Sequence, residues 1–233
     1  MSPRTVSSLK GKWALVTGSS RGIGQQIALG LAEFDCNVVV HGRSKSHAAR
    51  TTKLLRAFDV ETAVVGGDLK TDAGVRSVLR GLPGPIDILY NNAGVQNAWE
   101  PVWEIERDTW RRIFEVNLFA VVELTNALAP GMLKRGYGRI VNLSSGIRDI
   151  PQLAPYSVSK AAVDKCTADL AAELDGTNVL VSALDPGWLR TDMGGPHGDH
   201  DVTTVLPGAL IPALLPEGAR NGQRFRAQEY EWR

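Results

Sequence analysis

Runs of branched aliphatic residues, four to six long, recur at 13–17, 37–41, 62–65, 86–90, 139–143 and 179–184, with a weaker one at 223–226. They are too short for helices and lack strict polar alternation, which is how strands buried on both faces read. Between them the apolar period lengthens. Ile23, Ile27 and Leu31 recur at four-residue spacing, and the segments 47–57, 71–81, 108–135, 156–175 and 203–215 also read as helices. Strands alternating with helices predict an α/β fold: a doubly wound sheet of about seven mainly parallel strands with helices on both faces. No linker, repeat or low-complexity tract interrupts the pattern, so 1–233 is read as a single domain. The Gly/Pro-rich stretch 194–208 is read as a surface loop.

Composition narrows the function classes. A chain of 233 residues, 43% hydrophobic, buries a core without disulfide or metal staples. A formal net charge of +1 supplies no field for a polyanion, so nucleic acid is not expected as a partner. Cys36 and Cys166 lack the spacing of a zinc site and read as core thiols, while His197 and His200 read as loop residues, so no metal is expected. No apolar run reaches the length of a membrane span, and the polar start, 1–12, lacks a hydrophobic signal region. The expectation is a cytoplasmic protein without a membrane partner.

The chemistry begins after the first strand. Thr17-Gly18-Ser19-Ser20-Arg21-Gly22-Ile23-Gly24 places three glycines on a turn that feeds directly into a helix. Glycine accepts positive φ and lets a ligand approach the backbone, and the helix start offers unpaired N–H groups to a pyrophosphate. Downstream stand Asp68-Leu69, Asn91-Asn92-Ala93-Gly94, Asn117, Ser144-Ser145, Tyr156-Ser157-Val158-Ser159-Lys160, and Asp185-Pro186-Gly187 with Thr191. Most follow directly on a predicted strand, on the edge where parallel sheets bind ligands.

In motif content and order the chain resembles the short-chain dehydrogenase/reductase family over about residues 10 to 226. The resemblance implies a Rossmann-type fold, NADP(H) or NAD(H) as cofactor, a small-molecule carbonyl or alcohol substrate, and a homodimer or homotetramer. It implies cofactor contacts at Gly18, Ser20, Arg21, Gly22, Ile23 and Gly24. Asp68, beside Leu69, would bond the adenine. Asn91, Ala93 and Gly94 would line the cofactor's middle, and Thr191, after Pro186 and Gly187, would hold the nicotinamide amide. It also implies catalysis by Asn117, a serine, Tyr156 and Lys160, with Asn117 bonding a water that links the lysine to solvent.

Two points follow from the residues themselves. The end of the second strand reads His41-Gly42-Arg43-Ser44-Lys45, without the acid that would grip an unphosphorylated ribose. This favours NADPH, with Arg43 forked onto the 2′-phosphate and Arg21 approaching from the other side. Tyr156 and Lys160, four apart, share one helix face. An ammonium about 4 Å away at an effective dielectric of about 20 contributes roughly 4 kcal/mol, about 3 pKa units, so the phenol is expected to titrate near neutrality. The family's lead-in to the serine matches Ser145, whereas its spacing to the tyrosine fits Ser144 better; both stay open. Trp99, Trp103 and Trp188 follow strands where substrate would enter, and either line an apolar pocket or simply pack. The main reading is an NADPH-dependent reductase of ketones or aldehydes, 3-oxoacyl thioesters among them. The alternatives are an alcohol or sugar dehydrogenase and a non-catalytic NADP sensor.

Overall fold

The computed structural model describes residues 8–231; the polar start at 1–7 and the last two residues of the single domain expected over 1–233 lie outside the described residues. Seven strands form one parallel sheet: β1 (Trp13–Val16), β2 (Asn37–Gly42), β3 (Thr62–Gly66), β4 (Ile88–Asn91), β5 (Gly138–Leu143), β6 (Val179–Asp185) and, last in chain order, β9 (Gln223–Arg226). Their order is β3-β2-β1-β4-β5-β6-β9. Every neighbouring pair is parallel, with Val16 beside both Val40 and Tyr90. Strand order reverses between β1 and β4, and a crevice opens above their carboxyl ends.

Alternate residues of each strand serve opposite cores. Val16, Val38, Val40, Tyr90 and Val141 pack with Ile27 and Leu31 of helix α1 (Gly22–Glu33). Leu15, Val39, Leu89 and Ile140 face the other way, onto Val75 and Val78 of α3 (Asp72–Arg80) and Leu124 and Met132 of α5 (Ala120–Arg135). Both faces are covered, which is why the strands read as continuous apolar runs. Caps set the helix ends: Thr71 Oγ1 accepts the Gly74 N–H at 3.1 Å to start α3, and Gly136, at φ 68°, closes α5.

Two helix expectations and one loop expectation need correction. The segment 203–215 is not α-helical: two 3₁₀ turns, Val202–Val205 and Gly208–Leu214, are interrupted by Pro207 and Pro212. The stretch 194–208 is in part core rather than a surface loop, since Val205 is buried and Leu206 and Leu210 close on Gly30 of α1, where a Cβ would stand 2.9 Å from Leu210 Cδ1. Within it β8 (His200–Asp201) pairs with β7 (Leu189–Arg190). The helix expected over 108–135 divides into α4 (Arg107–Phe114), a π-helical turn (Glu115–Phe119) and α5. One window of Arg107–Arg135 is also long and apolar enough for a membrane span, against expectation. It buries Ile113, Asn117 and Leu124 in the protein, as the core helix of a sheet layer does.

Arg139 of β5 is 2% exposed and bonds only carbonyls: Nη1 donates to Gly138 O at 2.7 Å and Asn178 O at 2.8 Å, and Nη2 to Leu215 O at 2.8 Å. Its guanidinium lies 4.5 Å from the Tyr137 ring centre. Arg139→Leu leaves these oxygens buried without donors and is expected to destabilise the fold by about 3 kcal/mol, read by denaturant unfolding.

Candidate active site

The glycine turn between β1 and α1 is held from every side. Thr17 Oγ1 accepts the N–H groups of Asn92 at 2.9 Å and Ala93 at 3.0 Å, and Asn92 Nδ2 donates to Thr17 O at 2.7 Å. Ser19 Oγ donates to Val16 O at 2.7 Å, and Thr51 Oγ1 to Ser19 O at 2.8 Å. Gly18 and Gly22 sit at φ 65° and 58°, and a Cβ on Gly24 would lie 2.6 Å from Gly18 O, so no side chain fits there. No side chain caps α1. Its first N–H groups, next to Ser20 and Ile23, therefore remain available to an anion, and a dinucleotide pyrophosphate fits this cradle. Asn92, which braces the turn, was not singled out in the sequence; its motif neighbours drew the attention.

Other sequence-predicted cofactor residues divide. Arg43 is exposed at the end of β2 and forms no ion pair among the described residues, so its fork is free. Arg21 pairs through Nε with Asp192 at 2.8 Å. Asp68 accepts the Lys70 N–H at 3.2 Å and stands 3.3 Å from its ammonium, a turn at a strand end, beside buried Leu69. The Asn91 side chain turns inward, donating to Asn142 Oδ1 at 2.8 Å and Thr125 Oγ1 at 3.2 Å, while its Oδ1 is buried without a hydrogen-bond partner. Pro186 accepts from Gln228 Nε2, Gly187 (φ 83°) donates to Asp185 Oδ1, and Thr191 Oγ1 accepts the Gly194 N–H at 3.0 Å. These three lie on the loop after β6.

Two of the predicted reacting residues meet at Gly94, whose Cβ would lie 3.5 Å from Asn117 Oδ1 and 3.7 Å from Lys160 Nζ. Asn117 is on the π turn, fully buried. Its Oδ1 accepts the Val95 N–H at 2.8 Å, and its Nδ2 donates to Val95 O at 2.9 Å and Ser159 Oγ at 3.0 Å. A π turn inserts one residue's width into the helix, here letting a polar side chain face the sheet. Tyr156 and Lys160 lie in the first two turns of α6 (Ala154–Glu173). Lys160 Nζ donates to Leu143 O at 2.7 Å and stands 5.8 Å from the Tyr156 ring centre. Burial lowers Lys160 to about 8.

The Tyr156 expectation is overturned in direction. Burial pushes the phenol above its ordinary value, a hydrogen bond from Ser145 offsets part of this, and Asp185 adds to the rise. The ammonium is directed at the Leu143 carbonyl, 5.8 Å from the centre of the Tyr156 ring. The two serines separate clearly. Ser144 is buried, its N–H held by Leu184 O at 2.8 Å, whereas Ser145 is partly exposed and meets Tyr156.

Arg224 of β9 was not anticipated; nothing in an isolated arginine signals it. Its Nη2 donates to Ser145 O at 2.9 Å and lies 3.7 Å from Asp185, while Nη1 pairs with Asp164 at 3.0 Å. Arg224→Met is expected to loosen the Ser145 loop and lower kcat about fivefold with KM for cofactor unchanged, a loss of about 1 kcal/mol read by steady-state kinetics. A cavity of about 740 Å³ between the end of α6 and the turn before β9 lies at the opposite end of the sheet and carries none of these groups.

Comparison with known proteins identifies the family. Residues 12–201 match the model of the family described as short chain dehydrogenase. The chain is 36% identical over 200 residues to a gluconate 5-dehydrogenase of Gluconobacter oxydans, covering 83% of this chain and 77% of that one. It is 34% identical over 213 residues to a 3-oxoacyl-[acyl-carrier-protein] reductase of Pseudomonas aeruginosa, covering 89% and 82%. The crystal structure of a gluconate 5-dehydrogenase from Burkholderia cenocepacia, in complex with NADP and tartrate, superposes with a TM-score of 0.80 at 31% identity over 94% of each chain. The chain belongs to the short-chain dehydrogenase family of oxidoreductases.

Proposed function

We propose that the protein is an NADPH-dependent reductase of ketones or aldehydes, with Tyr156 as the proton donor. The observation that carries this reading is that Asn117 and Lys160 meet at Gly94, one strand away from the glycine turn, while Ser145 meets Tyr156 one helical turn from Lys160. Bound NADPH supplies hydride to the carbonyl carbon. Tyr156 donates its phenolic proton to the carbonyl oxygen, and Ser145 donates a hydrogen bond to that oxygen as its charge grows. A phenol carries its proton at neutral pH, the form that donates to a carbonyl oxygen, and burial holds the Tyr156 pKa above its ordinary value. Lys160 would hold the nicotinamide ribose of the bound coenzyme, and Asn117 fixes the Val95 backbone beside it. Arg43 takes the 2′-phosphate. The NADP seen with the Burkholderia relative supports this choice of cofactor.

The entrance supports an apolar carbonyl such as a 3-oxoacyl thioester. Trp99, Trp103 and Trp188 are 65%, 84% and 52% exposed, so simple packing does not account for them. Their loops, after β4 and β6, flank the Ser145 loop and are tied to it and to each other: Gln96 Nε2 donates to Met193 O at 3.0 Å, and Asn97 Nδ2 to Gln152 O at 2.7 Å. A second reading, oxidation of an alcohol or sugar acid, draws on the relatives named gluconate 5-dehydrogenase. NADPH consumption against a panel of 3-oxoacyl thioesters, aryl ketones and 5-ketogluconate decides between them. Turnover of the first two supports our reading, and turnover of ketogluconate alone moves it to the second. Tight NADPH binding without turnover of any carbonyl or alcohol overturns both in favour of a sensor.

A further inference from the structure

One imidazole is used by none of this chemistry. His41, in β2, is 3% exposed and lies against the glycine turn. Its backbone N–H donates to Ser19 Oγ at 3.0 Å, and its carbonyl accepts the Ser19 N–H at 3.1 Å. The ring Nδ1 accepts the Gly18 N–H at 2.9 Å, and Nε2 is 3.0 Å from the Gly67 carbonyl. A peptide N–H only donates and a carbonyl only accepts. Both contacts are therefore satisfied by one form of the ring, the neutral tautomer with a proton on Nε2 and none on Nδ1. One side chain thus joins the loops after β1 and β3 from its seat on β2. The peptide it holds belongs to Gly18, whose positive φ and close approach to Ala93 define the start of the cradle.

We propose that His41 is a positioning residue for the coenzyme: its neutral ring pins Gly18 in the conformation that receives the NADPH pyrophosphate, and a proton on Nδ1 unpins the turn and releases the coenzyme. The inference rests on the NADPH reading above. A protonated Nδ1 would set one N–H against another at 2.9 Å on a side chain only 3% exposed. The charged and titratable groups on the elements packed about the ring pull in both directions. Asp68, after Gly67, favours the imidazolium, while Arg43, Lys45 and His47 after β2 carry no stabilising negative charge. Burial outweighs Asp68 and lowers the His41 pKa from its ordinary 6.5. The sign follows. As pH falls below 6.5 the unfolded chain takes the proton before the folded one, so acid first removes stability and then, below the folded value, the pin itself.

The test is the NADPH dissociation constant of the full chain between about pH 8 and about pH 5 for the wild type, His41→Asn and His41→Leu, with the folded fraction measured alongside. The Asn amide oxygen accepts the Gly18 N–H without titrating. At about pH 8 the Asn variant is expected within about threefold of the wild type and the Leu variant at least about tenfold weaker. As pH falls through the His41 pKa, the wild type should lose up to about tenfold per pH unit more than the Asn variant, whose residual slope reports the coenzyme's own phosphate. Equal slopes, or variants that lose thermal stability while the folded fraction binds as the wild type does, overturn the inference. The ¹⁵N imidazole spectrum of the wild type is an independent reading, needing no variant: a bare Nδ1 at His41 is expected, and a protonated one overturns it. A folded wild type that binds no NADPH at any pH overturns the coenzyme reading itself.

Discussion

Tyr156→Phe is expected to lower kcat for carbonyl reduction by about three orders of magnitude, or about 4 kcal/mol, while NADPH binds within about twofold of the wild type. The phenylalanine keeps the ring in its half-buried place at the start of α6 and removes only the oxygen that meets Ser145. Without that donor the carbonyl oxygen must take its proton from water while hydride arrives, and Ser145 alone stabilises the charge. The loss therefore falls on kcat and not on cofactor affinity, and single-turnover NADPH oxidation with a separate binding titration separates the two. The pH profile carries a second signature. Since Tyr156 is raised by burial, its acid form persists across the neutral range and contributes no limb there. Lys160, lowered to about 8, is the group that changes charge on the alkaline side, so reduction is expected to decline as pH rises through about 8. A wild-type limb near neutrality instead, lost in Tyr156→Phe, would show a phenol pulled down rather than raised.

That reversal marks where sequence reading stops. Strands such as 37–41 were legible because both faces are buried and valine fills both, and the glycine turn because only glycine takes its backbone angles. The four-residue spacing of Tyr156 and Lys160 places two side chains on one face but says nothing of their ends. Lys160 reaches the Leu143 carbonyl across the sheet, a partner supplied by tertiary packing. Asn91 was a strand-end asparagine like Asn92, yet one points into the core and the other braces the turn, a difference set by strand pleat and by the neighbours Asn142 and Thr17. The π turn at Asn117 has no composition signature, since Glu115–Phe119 continues a good helix. Between 203 and 215 the apolar spacing masked Pro207, which separates the two turns, and Pro212, which lies inside the second. The pairing of Arg21 with Asp192 joins residues 171 positions apart, which local pattern does not reach.

With Arg21 paired, Arg43 is the residue expected to decide cofactor choice. With Arg21 engaged by Asp192, Arg43 is the guanidinium left free at the end of β2, where the adenosine ribose of a dinucleotide lies in a doubly wound sheet. A forked pair to a phosphate bearing up to two negative charges contributes about 1.5 to 3 kcal/mol. Arg43→Asp removes it and puts a carboxylate against the phosphate, adding repulsion of similar size in a solvent-exposed corner. The two effects together are expected to weaken NADPH by about 100-fold or more. NADH has no 2′-phosphate, and the new carboxylate accepts hydrogen bonds from its ribose hydroxyls, so its affinity is expected to hold or rise. The ratio of kcat/KM for the two coenzymes should therefore fall by more than two orders of magnitude, and its salt dependence should vanish with the guanidinium. If the variant keeps its NADPH preference, the 2′-phosphate is held elsewhere, and Arg21→Ala then shows whether the glycine turn releases its arginine from Asp192 to hold it.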